Sequence, residues 1–281
     1  MTKPPSLSPD EQSKLNDRLA GAANNGDTAT VQTLLATGAD IHAKDDSALR
    51  WAAAHGHTET VKVLLAARAD LHADYDFALR YAADGGHTEM VKILLAAGAN
   101  IHAEDDNAVR WAARNGHTET VNVLLASSAN VDARDDEALR WAASNGHTQT
   151  VKILLAAGAN VHAEDDNALR WAARNGHTET VKVLLASGAN VDARDDEALR
   201  WAVLYDHPYT ARALREAIIT SQEAVRLELA RQRNPLLTGT GLTFAKSGPE
   251  DMEALLRDAV AEQGVSRPSE REYASLPLCP R

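Results

Sequence analysis

The apolar residues of this chain follow a helical spacing that recurs every thirty residues. The spacing is clearest over residues 165–185, which read DDNALRWAARNGHTETVKVLL. Two apolar sets stand there at i, i+3 and i+4 spacing: Leu169, Ala172 and Ala173, then Val181, Leu184 and Leu185. This spacing predicts two short helices, each with one buried face. Gly176 separates them, because the Asn-Gly dipeptide favours a left-handed turn that ends the first helix.

The same two-helix pattern occurs seven times along the chain. A tryptophan keeps the thirty-residue step at positions 51, 111, 141, 171 and 201, and Tyr81 fills the missing place. The five regular repeats are 41–70, 71–100, 101–130, 131–160 and 161–190, and the two weaker end repeats are 11–40 and 191–220. A period of about 20–50 residues predicts a solenoid. The end repeats are expected to act as caps with polar outer faces.

Local signals predict where both helices of a repeat begin and end. We expect Asp166 to be the N-cap of the first helix and to form an exposed ion pair with Arg170, four residues later. The second helix should end at Gly188, a position that favours a left-handed residue. Arg68 and Ser128 stand at the equivalent position. We expect them to be left-handed at a cost of about 1 kcal/mol, so substitution with Gly should stabilise the protein.

The repeated pattern resembles the ankyrin repeat family. A-L-R-W-A-A-x-x-G-H-T-E-T-V-K-x-L-L-A-x-G-A-N is similar to the family's T-P-L-H-x-A-A-x-x-G-H-x-E-V-V-K-L-L-L-x-x-G-A-D, and it covers residues 11–220. The family's repeat has about 33 residues, so three are missing here, before the first helix. Residues 167–170, Asn-Ala-Leu-Arg, also replace Thr-Pro-Leu-His. Both changes fall where the family projects a β-hairpin and leave open whether one forms. Similar thirty-residue units occur in ankyrin arrays of large DNA viruses and amoeba-associated genomes.

The resemblance implies a mainly α fold, an ankyrin-type solenoid of seven two-helix repeats with shortened connections, followed by a short helical C-terminal tail. We expect a disordered N-terminus at 1–10, the repeat array at 11–220, a helical extension at 221–265 and a disordered tail at 266–281. Thr220 to Glu223 reads as a capping box that opens the first helix of the extension. A second helix with an apolar stripe is expected over 250–263.

Charge and composition narrow the class of function. The 281 residues carry a net charge of −11, which disfavours nucleic acid and anionic membranes because both require a basic surface. The polar N-terminus predicts no signal peptide, and no apolar run reaches the roughly 18 residues of a membrane span. Cys279 is the single cysteine, so an internal disulfide is excluded. We expect a soluble intracellular protein in the cytoplasm, with the nucleus or a host cell left open.

Asp, Arg, Trp and His recur together in the repeats, and catalytic sites use the same residue types. A catalytic site is normally present once, because it needs one pocket and one substrate pose. Regular copies therefore indicate a structural role. The histidines of the Gly-His pairs match a structural position of the family. Those at 42, 72, 102 and 162 stand one repeat or more apart, too far to share a zinc ion. We expect no catalysis, no metal and no cofactor.

Asp-Asp pairs stand at the same place in five repeats, at 45–46, 105–106, 135–136, 165–166 and 195–196. One interpretation is a solvated row of caps and ion pairs. The other is an acidic strip that steers a basic partner. We favour the solvated row, because charged residues are mostly ordinary exposed surface.

Partner contacts are expected where the repeats differ from one another. In ankyrin proteins partners usually meet the concave face, which the connections and first helices build. The candidate partner-binding residues are Lys44, Ser47, His55, Asp74, Tyr75, Phe77, Asp84, Glu104, Asn107, Arg114, Arg134, Glu137, Ser144, Glu164, Asn167 and Arg174. Tyr75 and Phe77 stand out as possible anchors, because exposed aromatic residues are frequent at interface centres. The alternative is local repacking of a diverged repeat.

These observations predict a non-catalytic scaffold, a monomer that binds an unidentified protein partner on the concave face. The first alternative is a bipartite adaptor or effector whose C-terminal helices recruit a second protein, such as a ubiquitin-ligase or signalling component. An alternative of another class, a metal-binding protein or an enzyme, is disfavoured.

Overall fold

The structure is a computed structural model that describes residues 8–233 of the chain. This range contains fourteen α-helices and no strand. The helices are α1 (Pro9–Asn24), α2 (Thr28–Ala36), α3 (Ala43–Ala54), α4 (Thr58–Ala66), α5 (Ala73–Asp84), α6 (Thr88–Ala96), α7 (Ala103–Arg114), α8 (Thr118–Ala126), α9 (Ala133–Ser144), α10 (Thr148–Ala156), α11 (Ala163–Arg174), α12 (Thr178–Ala186), α13 (Ala193–Leu204) and α14 (Pro208–Arg233). They form seven consecutive pairs, which confirms the predicted α-solenoid.

The core of the array is thin and consists mainly of Ala, Leu and Val. The odd-numbered helices pack against one another in chain order, and most also pack against the even-numbered helix that follows. In repeat 161–190, Leu169, Ala172 and Ala173 of α11 are fully buried, as are Val181 and Leu184 of α12. Leu185 is partly buried against the same core, so both predicted apolar faces are confirmed. Each such Leu or Val adds about 1.5–3 kcal/mol of hydrophobic stabilisation.

The connections between repeats hold three consecutive residues in the left-handed conformation. At the start of α11 these are Glu164, Asp165 and Asp166, with φ of 53°, 55° and 57°, and five other connections share the pattern. The right-handed part of the helix begins at Asn167, directly after Asp166. The Asp166 carboxylate, however, accepts from the backbone N–H of Asn190 and not from an N–H of its own first turn, so the predicted capping hydrogen bond is wrong. No β-hairpin forms within residues 8–233. Because a left-handed residue other than Gly costs about 1–2 kcal/mol, these connections need support from side chains.

The turns inside the repeats follow the sequence prediction. Gly176 has a φ of 75°, and a Cβ placed there would lie 2.6 Å from Nδ1 of His207 in the next repeat. Gly is therefore required both for its conformation and for the space it leaves. At the stop position, Gly188 is left-handed, and so are Arg68 and Ser128 with φ of 70° and 75°. The conformation predicted for the two exceptions is confirmed.

The array begins slightly before its predicted start. α1 starts at Pro9, where Ser8 and Glu11 form a reciprocal capping box. Residues 9 and 10 are therefore helical and do not belong to the disordered segment that was predicted over residues 1–10. Further along α1, Leu19, Ala22 and Ala23 are buried, as expected for the first cap.

The last helix differs from its prediction. α14 runs without a break from Pro208 to Arg233, so Thr220 lies inside a helix and does not open one. The physical reason is that no Gly or Pro follows Pro208 within this stretch, so nothing ends the helix at 220. The chain divides into two compact parts, one through Ile218 and one from Ile219. The predicted helix over 250–263 and the tail at 266–281 lie outside the described residues.

Candidate partner-binding face

In four of the five Asp pairs, the second aspartate supports the connection to the next repeat through a hydrogen bond. Asp166 is buried, and its Oδ1 accepts a hydrogen bond of 2.7 Å from the backbone N–H of Asn190, 24 residues further on. Nδ1 of the exposed His162 lies 3.1 Å from the same carboxylate. Equivalent backbone bonds are made by Asp46, Asp106 and Asp136, and also by Asp76, which follows Tyr75 in its repeat. The prediction of a solvated row is wrong for these buried carboxylates and holds only for the first aspartate of each pair.

The arginine of each repeat supports the left-handed connection. Arg170 is only 4% exposed, and its guanidinium donates to the backbone carbonyls of Asp165 and Glu164 at 3.0 and 2.8 Å. It also forms an ion pair with Glu197 in the next repeat, at 2.5 Å, and its guanidinium carbon lies 5.9 Å from the ring centre of Trp201. The predicted i, i+4 ion pair with Asp166 is therefore wrong. The carbonyl groups of the left-handed residues precede the right-handed part of the helix, and the buried guanidinium donates hydrogen bonds to them.

The histidine of each Gly-His pair joins neighbouring repeats. Nε2 of His177 lies 3.0 Å from the backbone oxygen of Ser144, 33 residues earlier. Burial lowers the pKa of His177 below its usual range. The same contact recurs for His57, His87, His117, His147 and His207. The structural role predicted for these histidines is confirmed.

The repeated Asp, Arg, Trp and His do not converge on a common point. In repeat 161–190, Asp166, Arg170 and His177 each contact a different part of the chain, as described above. Among residues 8–233 no group of three or more His, Cys, Asp or Glu side chains is arranged to hold a metal ion. In the same range, no helix is long and apolar enough to cross a membrane.

Aromatic side chains of the odd-numbered helices form a row along the array. We call the rings of Trp51, Phe77, Tyr81, Trp111, Trp141, Trp171 and Trp201 the aromatic row. Phe77 stacks on Tyr81 with ring centroids 3.7 Å apart and meets Trp51 at 5.6 Å. Tyr81 in turn meets Trp111 at 5.3 Å. Most of these rings are half-buried, so the row covers the seams between repeats and still presents ring area to solvent.

Two arginines lie over this row at equivalent positions. The guanidinium carbon of Arg114 lies 5.5 Å from the ring centre of Trp141. That of Arg174 lies 4.5 Å from Trp171 and 5.7 Å from Trp201. Such cation–π contacts hold a guanidinium flat against the ring and leave its edge free to donate hydrogen bonds.

The candidate residues differ widely in exposure. Exposed are Lys44, His55, Asp74, Tyr75, Glu104, Arg114, Arg134 and Glu164. Half-buried are Asp84, Glu137, Ser144, Asn167 and Arg174, and buried are Ser47, Phe77 and Asn107. The exposure assumed for Phe77 is wrong, because its ring is 7% exposed and packs inside the aromatic row. Tyr75 is 71% exposed and remains available to a partner.

Repeat 191–220 carries an exposed apolar group that was not predicted from the sequence. Val203, Leu204, Tyr205 and Tyr209 are all exposed, Tyr209 by 80%. Tyr205 lies 5.1 Å from the guanidinium carbon of Arg174 and so extends the aromatic row. The expected polar cap is therefore only partly present. The available signal was Leu204-Tyr205, which stands where other repeats have small or polar residues such as Ser144-Asn145.

Comparison with known proteins agrees with this architecture. A family model described as ankyrin repeats (3 copies) matches residues 19–105, 102–165 and 139–223. The structure is similar to the crystal structure of the human ASB11 ankyrin repeat domain, with a TM-score of 0.63 and 28% sequence identity. That match covers 71% of this chain and 96% of the human domain. A search of curated proteins gave no match. Ankyrin repeats generally mediate protein–protein interactions, and the chain belongs to the ankyrin repeat family.

Proposed function

We propose that this protein is a non-catalytic scaffold that binds a protein partner through the aromatic row and the connections beside it. The observation that supports this proposal is the series of mostly half-buried rings along the odd-numbered helices, flanked by exposed Tyr75 and Tyr205. Aromatic and arginine side chains dominate the binding energy of protein interfaces. The proposal includes a monomer in the cytoplasm, which light scattering of the purified chain and imaging of a tagged chain would test.

Site-specific photo-crosslinking in the native cell tests the proposed face. A benzophenone amino acid replaces Tyr75 on the proposed face or Lys92 on α6 of the same repeat. Both positions are exposed, so neither change should unfold the protein. We expect covalent protein adducts from position 75 and few from position 92. Adducts from position 92 alone, or none from position 75, would contradict the proposed face.

A bipartite adaptor is the second candidate. The observation that favours it is a set of exposed apolar residues on the later part of α14, namely Ile219, Val225, Leu227 and Leu229. Exposed apolar residues grouped on one segment mark interaction sites more often than single ones do. Replacing Val225 and Leu229 with Ser should then remove one class of captured protein while adducts from position 75 persist. Unchanged capture would exclude this segment as a second site.

A further inference from the structure

Arg114 and Arg174 have unused hydrogen-bond donors beside aromatic rings. Within residues 8–233 neither guanidinium donates a hydrogen bond to an oxygen atom or forms an ion pair, and both lie against aromatic rings. This distinguishes them from Arg110 and Arg170 of the same helices, which are buried and bound to carbonyl and carboxylate oxygens. A stacked guanidinium is already oriented, so little conformational entropy is lost when it binds an anion.

The positions between and beside the two arginines favour an extended ligand. The equivalent residue in the intervening repeat is Ser144, which carries no charge and is half-buried. In the preceding repeat it is Asp84, whose carboxylate is already bound by the side-chain amide of Asn115 at 2.7 Å. In the last repeat it is exposed Leu204. From Arg114 to Leu204 the charged side chains at this position are therefore both cationic, and the one acidic residue, Asp84, lies one repeat before Arg114.

The spacing of the two arginines sets the length of a matching ligand. They are separated by two repeats, and packed helices lie about 8–10 Å apart, so the two guanidinium groups are separated by roughly 18 Å. An extended peptide rises about 3.3 Å per residue. Two side chains about six residues apart therefore span that distance, and both point to the same side because side chains alternate along an extended chain.

We propose that Arg114 and Arg174 bind two carboxylates, about six residues apart, of one extended acidic peptide segment in the protein partner. Each guanidinium receives one Asp or Glu side chain in a bidentate pair. Apolar side chains between the two acids contact Trp141 and Trp171, and Tyr205 borders the second site. This proposal rests on the proposed function and adds the chemistry of the partner.

Peptide selection against the whole chain tests the proposal. A library of random twelve-residue peptides displayed on phage is selected on the wild-type protein, and the best peptides are synthesised with a fluorescent label. We expect enrichment of Asp or Glu at two positions about six residues apart. In fluorescence polarisation, Arg114→Gln and Arg174→Gln should each weaken the binding of such a peptide about tenfold. Circular dichroism of each variant should match wild type, because neither side chain is buried.

Lys92→Gln with Lys152→Gln is the matched control. These exposed lysines on even-numbered helices are also two repeats apart, so the double variant removes two positive charges at the same sequence spacing, one more than either arginine variant. The control should change affinity less than twofold. Enriched peptides without the acidic pair, or with affinities that the arginine variants leave unchanged, would overturn the acidic-peptide proposal. The proposed function would still stand if such peptides crosslinked to position 75. If no peptide were enriched, the proposal would also be overturned, and photo-crosslinking alone would then decide the proposed function.

Discussion

Two neighbouring seams, meaning the contact surfaces between consecutive repeats, have the same histidine and threonine contacts but differ in their ion pairs. At the seam between repeats 101–130 and 131–160, here the paired seam, buried Arg110 binds the carboxylate of Glu137, and Arg134 lies 3.1 Å from Asp105. At the next seam, between 131–160 and 161–190, here the unpaired seam, Arg140 has no carboxylate partner among the described residues. Its Nε is buried without a hydrogen bond.

The contacts that the two seams share show what holds the array together. At both seams a pair of threonine hydroxyls lies 2.8 Å apart, and a histidine Nε2 lies 3.0 Å from a backbone oxygen of the previous repeat. The repeated residues therefore supply a frame sufficient for stacking. Whether a seam also has ion pairs depends on residues that differ between repeats, such as Glu137 and its counterpart Asn167. The ion pairs should make the paired seam the more stable of the two.

The largest change is expected when the paired seam loses its buried ion pair. Glu137→Gln removes the carboxylate and leaves the Arg110 guanidinium, which is 2% exposed, without a counter-charge. Breaking a buried pair in this way costs about 3 kcal/mol. Urea denaturation should show this loss in the free energy of unfolding. The control Glu119→Gln, at an exposed position, should change it by less than about 0.5 kcal/mol. Equal effects of the two variants would refute a special role for the paired seam.

A glutamate at position 167 should convert the unpaired seam into a paired one. Asn167 occupies the place that Glu137 and Glu197 hold in their repeats, so Asn167→Glu offers a carboxylate to Arg140. Charge-assisted hydrogen bonds contribute about 1.5 kcal/mol, and we expect a gain of that size in urea denaturation. If Arg140→Gln in the Asn167→Glu background left that gain intact, it would not arise from the new pair.

A change at the left-handed position after the second helix of a repeat gives a reference for the two stability changes above, because it affects neither ion pair. Ser128→Gly removes the left-handed cost of a side chain and should stabilise the protein by about 1 kcal/mol. The backbone there is already left-handed, so no rearrangement is needed. Arg68→Gly should behave alike in thermal denaturation. Ser128→Ala is the control and should give no gain. A melting temperature unchanged by Ser128→Gly would contradict the conformational explanation.

The smallest expected effect concerns the aspartates beside each seam. At the unpaired seam, burial and the nearby charge of Asp132 raise the pKa of Asp136, whereas at the paired seam His102 lies 3.0 Å from Asp106. A raised pKa means that the folded state holds the proton more tightly. The contribution of Asp136 to stability is therefore present at low pH and is lost as pH rises through its folded pKa, starting near the usual value of about 4.

Asp132→His should reduce that loss, because a histidine replaces a like charge. We expect a gain of about 0.5 kcal/mol at pH 6, measured by urea denaturation between pH 4 and pH 7. The reciprocal His102→Asp should lose a similar amount at the paired seam. A gain that is the same at pH 4 and pH 6 would show that the charge of Asp136 is not involved.

Much of the fold was predictable because the helices, the turn glycine and the left-handed end position of each repeat depend on residues close together in sequence. Asp166 and Arg170 show where that reasoning ended. Both were assigned to local helix contacts, but their partners are Asn190 and Glu197 in the following part of the chain. Spacing along one helix cannot reveal a partner about 25 residues away.

The candidate face was predictable only in part, for the same reason. Phe77 stands beside exposed Tyr75 in sequence, but its burial results from rings in its own and the preceding helix of the row. In contrast, Arg174 was correctly selected as a residue that differs between repeats, although its contact with three rings from two repeats was not foreseeable. Variation between repeats indicates where to look, and only packing shows which residues remain free.

The central claim is that some residues hold the repeats together while others bind the partner. It is tested most directly by two arginines four residues apart on α11. The peptide selected above is titrated against Arg170→Gln and Arg174→Gln, and the free energy of unfolding of both variants is measured in urea. We expect Arg170→Gln to lower that free energy by about 3 kcal/mol while the folded protein keeps the wild-type Kd. Arg174→Gln should raise the Kd about tenfold and leave stability unchanged within about 0.5 kcal/mol. The reverse result, weaker binding from Arg170→Gln and loss of stability from Arg174→Gln, would contradict the division between a structural frame and a binding face.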